Sequence, residues 1–471
     1  METAETSKSG GFALPGLVIG LVTGVAAWSV IQYWIDGRDY NPLAHTALLF
    51  LVTAPASFLL LAERGGALKS ALCALAVAAL FIVPDYRMAS IAGDEFSNLD
   101  PFPAVFWFLC RGMIAYVLTA LVKAGLESGV PPSYERVFFH GLTMPLIAGG
   151  AMLFAGLSFV LLFVWAKLLK ELDVTFFNRV FQEPWFVFPF LGAVGGLSIA
   201  LMRGQGAVLG ALRFVLLLLA RILIVITALF TVTLLAVLAT KGLGPIFDKP
   251  YPAAIMLGLS LAGMLIFNGV YQNGEGGPPP LWLRAPAVIT LAGFPVYAGL
   301  AFYAFALRIG EYGLTPLRFV GLAINLLVAA YAIVCVAGLL TELNWRGKRW
   351  MPLVAPLNTA MAALWALALI LIATPIINPW AISAQSQYGL VASGRIAAAD
   401  FDYGYLRFRL GRHGDRALDR LLALRDRPDF AAIEDGVRRA RSAANYWEYQ
   451  NPTVAAEAPR EDQPASDDPN R

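Results

Sequence analysis

Arg308, Glu311, Tyr312 and Arg318 stand together in the stretch RIGEYGLTPLR. A carboxylate beside a phenol and two guanidiniums suits two kinds of chemistry. Glu311 can act as acid or base beside an interfacial substrate near Arg308 and Tyr312. The same residues could equally form a polar site at the membrane surface. A third reading is structural: an Arg308–Glu311 or Glu311–Arg318 pair locks a turn, as surface ion pairs often do at little gain. The other residues are helix-end chemistry. Arg308 meets the negative end of one helix, and Gly310 or Gly313 takes the left-handed conformation that stops it. Thr315 then caps the next helix and Pro316 opens it.

Arg111 is the second candidate. It sits in AVFWFLCRGMIAYVLTAL, where a guanidinium at bilayer centre costs ~2.5–3.5 kcal/mol and must face the protein interior or water. With the spans drawn below, no Asp or Glu falls inside any of them. The expected partners are therefore backbone carbonyls, Asn268, Asn325, or an anionic ligand or lipid headgroup. Arg221 is expected at a membrane interface, with the apolar part of its helix starting at Ile222. The missing intramembrane carboxylates argue against a proton-driven carrier. No GxxxxGK[ST], HExxH or GxSxG pattern occurs, which weakens ATPase, metalloprotease and serine-hydrolase readings. Three cysteines lie singly in apolar runs and three histidines are scattered, so neither a metal site nor a cofactor is expected.

Any such site must be held by helices in lipid. The 471 residues are 58% hydrophobic and 14% charged, with a mean hydropathy of +0.65. A soluble chain of this length carries about 25% charge. Apolar runs long enough to cross a bilayer recur at 14–34, 43–62, 68–83, 104–121, 142–165, 186–202, 214–238, 253–271, 285–307, 317–340 and 354–377. The fold class is thus all-α, a polytopic transmembrane bundle of about eleven spans, within a range of ten to twelve. METAETSKSGG has one lysine against two glutamates and precedes a long apolar run, which reads as an uncleaved first helix. Gly16, Gly20 and Gly24 form a small-residue stripe expected to pack inside the chain rather than in a dimer. Lys167 to Trp185 reads as one amphipathic helix, in the headgroup layer or capping the bundle. The acidic connector Asp85–Pro103 against the basic TELNWRGKRW favours a cytoplasmic N-terminus, which puts the tail outside.

Beyond residue 380 the composition changes. Residues 381–471 hold 13 arginines, no lysine and 14 acidic residues. The expected organisation is a bundle over 1–380, a soluble helical module over 381–450 and a disordered tail over 451–471. RIGEYGLTPLR with the following YAIVC resembles the bacterial membrane family called "domain of unknown function 4153". ISAQSQYGLVASGRIAAADFDYGYLRFRLGRHGDRALDRLLAL and WAKLLKELDVTFFNRVFQEP are similar to the same family, so the likeness runs from about Tyr134 to Leu424. The resemblance implies a multi-pass protein of the bacterial inner membrane and brings no activity, cofactor or catalytic residues.

The expected function is a non-enzymatic envelope scaffold that binds a protein partner through the C-terminal module. The alternatives are a transporter or flippase for an anionic or lipidic solute, suggested by Arg111, Arg221, Asn268 and Asn325, and a membrane-embedded transferase using Arg308, Glu311 and Tyr312. The lipid bilayer is the expected surrounding. A net charge of +3 gives no case for nucleic acid.

Overall fold

The computed structural model describes residues 12–36, 40–63, 66–95, 102–247, 251–343 and 349–451. The N-terminal eleven residues, Arg346, Lys348 and residues 452–471, read above as disordered, lie outside them. Among the described residues there are helices and no strand. Eleven helices are long and apolar enough to cross a membrane. They run Ala13–Ile35, Pro42–Leu61, Ala67–Ile91, Leu109–Ser128, Tyr134–Glu171, Pro184–Arg203, Gly206–Lys241, Pro252–Tyr271, Leu281–Tyr312, Pro316–Thr341 and Val354–Ala373. They are called the first to eleventh spans below.

Proline sets several starts. Pro42, Pro184 and Pro252 open their helices, where a missing N–H costs nothing. Asn41 caps the second span, its Oδ1 accepting from the Leu43 and Ala44 amides at 3.0 and 3.3 Å. Backbone N–H and C=O groups find no water in hydrocarbon, so continuous helices are the solution open to these sequences. Their outward faces carry large apolar side chains. Met152, Leu157, Leu161 and Leu168 of the fifth span and Phe214, Ile222, Ile226 and Leu229 of the seventh are exposed on the protein surface. Contiguous faces of this kind suit lipid and not water. The chain is a multi-pass membrane protein.

Three expectations change. The third span does not stop at Val83: after a break at Leu80–Phe81 the helix resumes and carries Asp85 and Arg87 inside the span. Pro84 is tolerated because it falls in the first turn of the resumed helix. The seventh span begins at Gly206, so Arg221 lies well inside it and not at its start; its Nε is buried with no hydrogen-bond partner among the described residues. The amphipathic helix over 167–185 is not one helix. The fifth span continues to Glu171, Asp173 turns the chain at φ 62°, Phe176–Val180 makes a short helix, and Pro184 opens the sixth span. At 38 residues the fifth span is about 57 Å long, against ~30 Å of hydrocarbon.

The glycine stripe packs within the chain. Gly16, Gly20 and Gly24 of the first span lie against the backbone of Gly196, Gly192 and Phe188 in the sixth. The approach is mutual, since Gly192 and Gly196 meet the carbonyls of Gly20 and Gly16. No side chain fits between the two helices at these positions. A separate apolar core joins the seventh to eleventh spans around Phe267, Leu291, Phe294, Tyr331, Met351 and Met361.

The chain divides into two compact units. The first holds the bulk of the spans. The second gathers Arg308–Phe319, the turn between the ninth and tenth spans, with the described residues from Asn378 onward. Its helices are Pro379–Ala392, Tyr403–Leu422 and Phe430–Ser442. Tyr403, Leu406, Leu410, Leu418, Leu421 and Ile433 give this unit its own buried core. Burial pushes the Tyr403 phenol up to about 12, and its hydroxyl donates to the Ala398 carbonyl at 2.9 Å.

Candidate functional site

Arg111 is held by a carboxylate. Its Nε lies 2.9 Å from both oxygens of Asp85. Trp107 donates its indole N–H to Asp85 at 3.0 Å, and Arg111 Nη2 donates to the Thr53 hydroxyl at 2.8 Å. The Phe81 ring closes another side, 4.9 Å from the guanidinium carbon. The Asp85 side chain is 2% exposed and that of Arg111 is 10% exposed. Desolvating two charges is costly, and only this kind of enclosed, multiply hydrogen-bonded geometry offsets it. The expected partners Asn268 and Asn325 and the anionic ligand are therefore not needed. Sequence reading missed Asp85 because the apolar run ends before it. Pro84 at the start of a second helical stretch was the available signal.

Arg87, on the next turn, aims its Nη1 at the carbonyls of Ile372, Thr374 and Ile377, where the eleventh span ends. The cation thus satisfies carbonyls that a helix C-terminus leaves unpaired. The eleventh span itself stops at Ala373 and not Ile377.

At the opposite ends of these spans a second charged group forms. The buried Lys123 ammonium donates to Glu63 and to the Leu61 carbonyl. Glu127 accepts from Arg136 at 3.3 Å and lies 3.0 Å from His140 Nε2. Arg203 donates to the Leu59 and Ala62 carbonyls and so caps the second span. Further along, Asn358 Nδ2 donates to Asn268 Oδ1 at 2.6 Å and to Tyr134 Oη at 3.2 Å. Asn268 Nδ2 donates to Tyr331 Oη at 3.0 Å. This network ties the fifth, eighth, tenth and eleventh spans. Asn325 stands apart, donating to the Ala298 carbonyl at 3.2 Å. Residues scattered over more than 200 positions make these contacts, and no local spacing announces them.

RIGEYGLTPLR is a helix-to-helix turn built as its residues dictate. Gly313 has φ 70° and its amide bonds back to Ile309, which makes it the stop of the ninth span. The Arg318 amide donates to Thr315 Oγ1 at 3.2 Å, and Pro316 opens the tenth span. Residues from the C-terminal part of the same unit then satisfy the turn's backbone. Gln387 Nε2 donates to the Tyr312 and Leu314 carbonyls at 2.9 and 3.0 Å. Ser386 Oγ accepts from the Leu314 amide, and Arg395 donates to the Gly310 carbonyl at 2.7 Å.

The expected ion pairs are absent. Among the described residues Glu311 pairs with neither Arg308 nor Arg318, and its side chain is exposed. Both guanidiniums instead face the Tyr312 ring, at 5.9 and 5.6 Å from its centre. Arg318 also donates to the Gly313 carbonyl at 2.8 Å. The lock is thus made of backbone hydrogen bonds and cation–π contacts, which need no carboxylate. Arg111 belongs to the other unit and its contacts are all internal to it. Glu311→Gln is expected to change stability by less than about 0.5 kcal/mol, as for other exposed positions without a partner. Thermal unfolding of the detergent-purified protein measures this, and a drop of several degrees would show that Glu311 has a partner after all.

Among the described residues no three His, Cys, Asp or Glu side chains gather to hold a metal ion. Comparison with family models, with curated proteins and with solved structures returns no match.

Proposed function

We propose that this is a membrane scaffold of the bacterial inner membrane whose C-terminal helical unit binds a protein partner. The observation that carries it is the second unit: it has its own core, organises one inter-span turn, and leaves a polar outer surface. Arg412, Arg416, Arg420, Arg425 and Arg438 are exposed, and so is Trp447 at 57%. Arginine and tryptophan are the residue types that most often anchor protein interfaces. The membrane bundle supports the same reading. Arg111, the cation best placed to bind a solute, is occupied by Asp85. The resemblance to the "domain of unknown function 4153" family agrees with an inner-membrane location.

Removal of residues 381–471 is the test. The truncated protein is expected to insert in membranes while losing partners that cross-link to the intact chain. Trp447→Ala, a change at an exposed side chain, is expected to weaken the same cross-links. Identical cross-linking by all three proteins would remove the proposal. Anion or lipid carriage is the second reading. It rests on Arg221, whose Nε has no partner, and Arg221→Ala with unchanged solute binding would eliminate it.

A further inference from the structure

We infer that the turn between the ninth and tenth spans binds the phosphate of an anionic lipid headgroup. Three arginines reach this turn. Arg308 and Arg318 face the Tyr312 ring, and Arg395 reaches the Gly310 carbonyl on the same helical turn. Arg308 and Arg395 are exposed, and Tyr312 is 52% exposed. Among the described residues none of the three arginines forms an ion pair, although Glu311 stands between them in sequence. Other arginines of the same unit do find carboxylates: Arg427 binds Asp429, and Arg441 binds Asp419. Among the described residues Arg412, Arg416 and Arg425 also lack a carboxylate partner; this turn differs in that two guanidiniums face one aromatic ring.

Location supplies the ligand class. The turn joins two membrane spans and so lies at a bilayer surface, the depth of lipid phosphates. An arginine carries five N–H donors in a planar fork that matches phosphate oxygens. One donor of Arg318 goes to Gly313 and one of Arg395 goes to Gly310, which fixes both side chains and leaves donors over. The guanidinium carbons of Arg308 and Arg318 lie 5.9 and 5.6 Å from the centre of the same tyrosine ring. These cations repel one another, so their assembly is completed by an anion. A phosphate with a negative charge and several acceptor oxygens meets that need, and a zwitterionic headgroup meets it less well.

The test uses the full-length protein in phosphatidylcholine nanodiscs, titrated with short-chain phosphatidylglycerol and, separately, with inorganic phosphate. Bound lipid is counted by native mass spectrometry. Arg308 makes no structural hydrogen bond in the described residues, so Arg308→Ala should fold normally. It is expected to weaken phosphatidylglycerol binding roughly tenfold, the factor that loss of one charge-assisted hydrogen bond gives. Arg308→Lys should recover only part of it. Competition by millimolar inorganic phosphate would identify free phosphate as a second ligand of the same site; lack of competition would restrict the site to lipid. Wild-type retention of phosphatidylglycerol no stronger than of phosphatidylcholine overturns the inference. So does undiminished retention by Arg308→Ala and by the Arg308→Ala/Arg395→Ala pair.

Discussion

Asp85→Ala should cost about 3–5 kcal/mol of stability, because it leaves the Arg111 guanidinium buried without its counter-charge. Arg111→Ala should cost a similar amount, since Asp85 then keeps only the Trp107 indole. The double variant Asp85→Leu/Arg111→Met should recover much of the loss, because two well-packed apolar side chains often replace a buried pair without penalty. Unfolding in detergent, followed for all four proteins, compares the broken pair with its apolar replacement. A loss from Asp85→Ala near that of an exposed pair, at most about 1 kcal/mol, would mean that water or a headgroup reaches Arg111. The experiment thus also judges whether Arg111 is free to meet a solute.

The second large effect is steric. Gly20→Leu is expected to separate the first span from the sixth, since a Cβ at Gly20 already overlaps the Gly192 carbonyl. Gly20→Ala alone should cost about 1–3 kcal/mol as overpacking, and leucine more. Gly156→Leu is the control: a Cβ there meets nothing within 4 Å and the position lies in the fifth span. Protease sensitivity and monodispersity after extraction read the outcome. A Gly20→Leu protein as stable as Gly156→Leu would show that the two helices do not touch along this stripe.

The two cases mark what was legible in the sequence. The stripe Gly16–Gly20–Gly24 declared itself by spacing, and only its partner was hidden. The span count was legible for the same reason: hydrophobic length is local information. The turn at Gly313, Thr315 and Pro316 was equally readable, since cap residues act within a few positions of themselves. Asp85 was not. A carboxylate looks like a loop residue until another helix supplies a guanidinium, and Arg111 comes 26 positions later. The Asn358–Asn268–Tyr134 network is further out of reach, its members drawn from three distant spans. Glu311 shows the opposite error. Its neighbours made an ion pair plausible by proximity in sequence, but the helix end turned both arginines onto an aromatic ring.

The pairing of the first span with the sixth has a consequence for biogenesis. Ribosomes add ~5–20 residues per second. The first span therefore spends on the order of ten seconds or more before Gly192 and Gly196 exist to receive it. Throughout that interval its glycine ridge is bare and available to any closely fitting helix, including another nascent copy. The insertion machinery, or the second span as a temporary neighbour, must shelter it until the proper mate arrives.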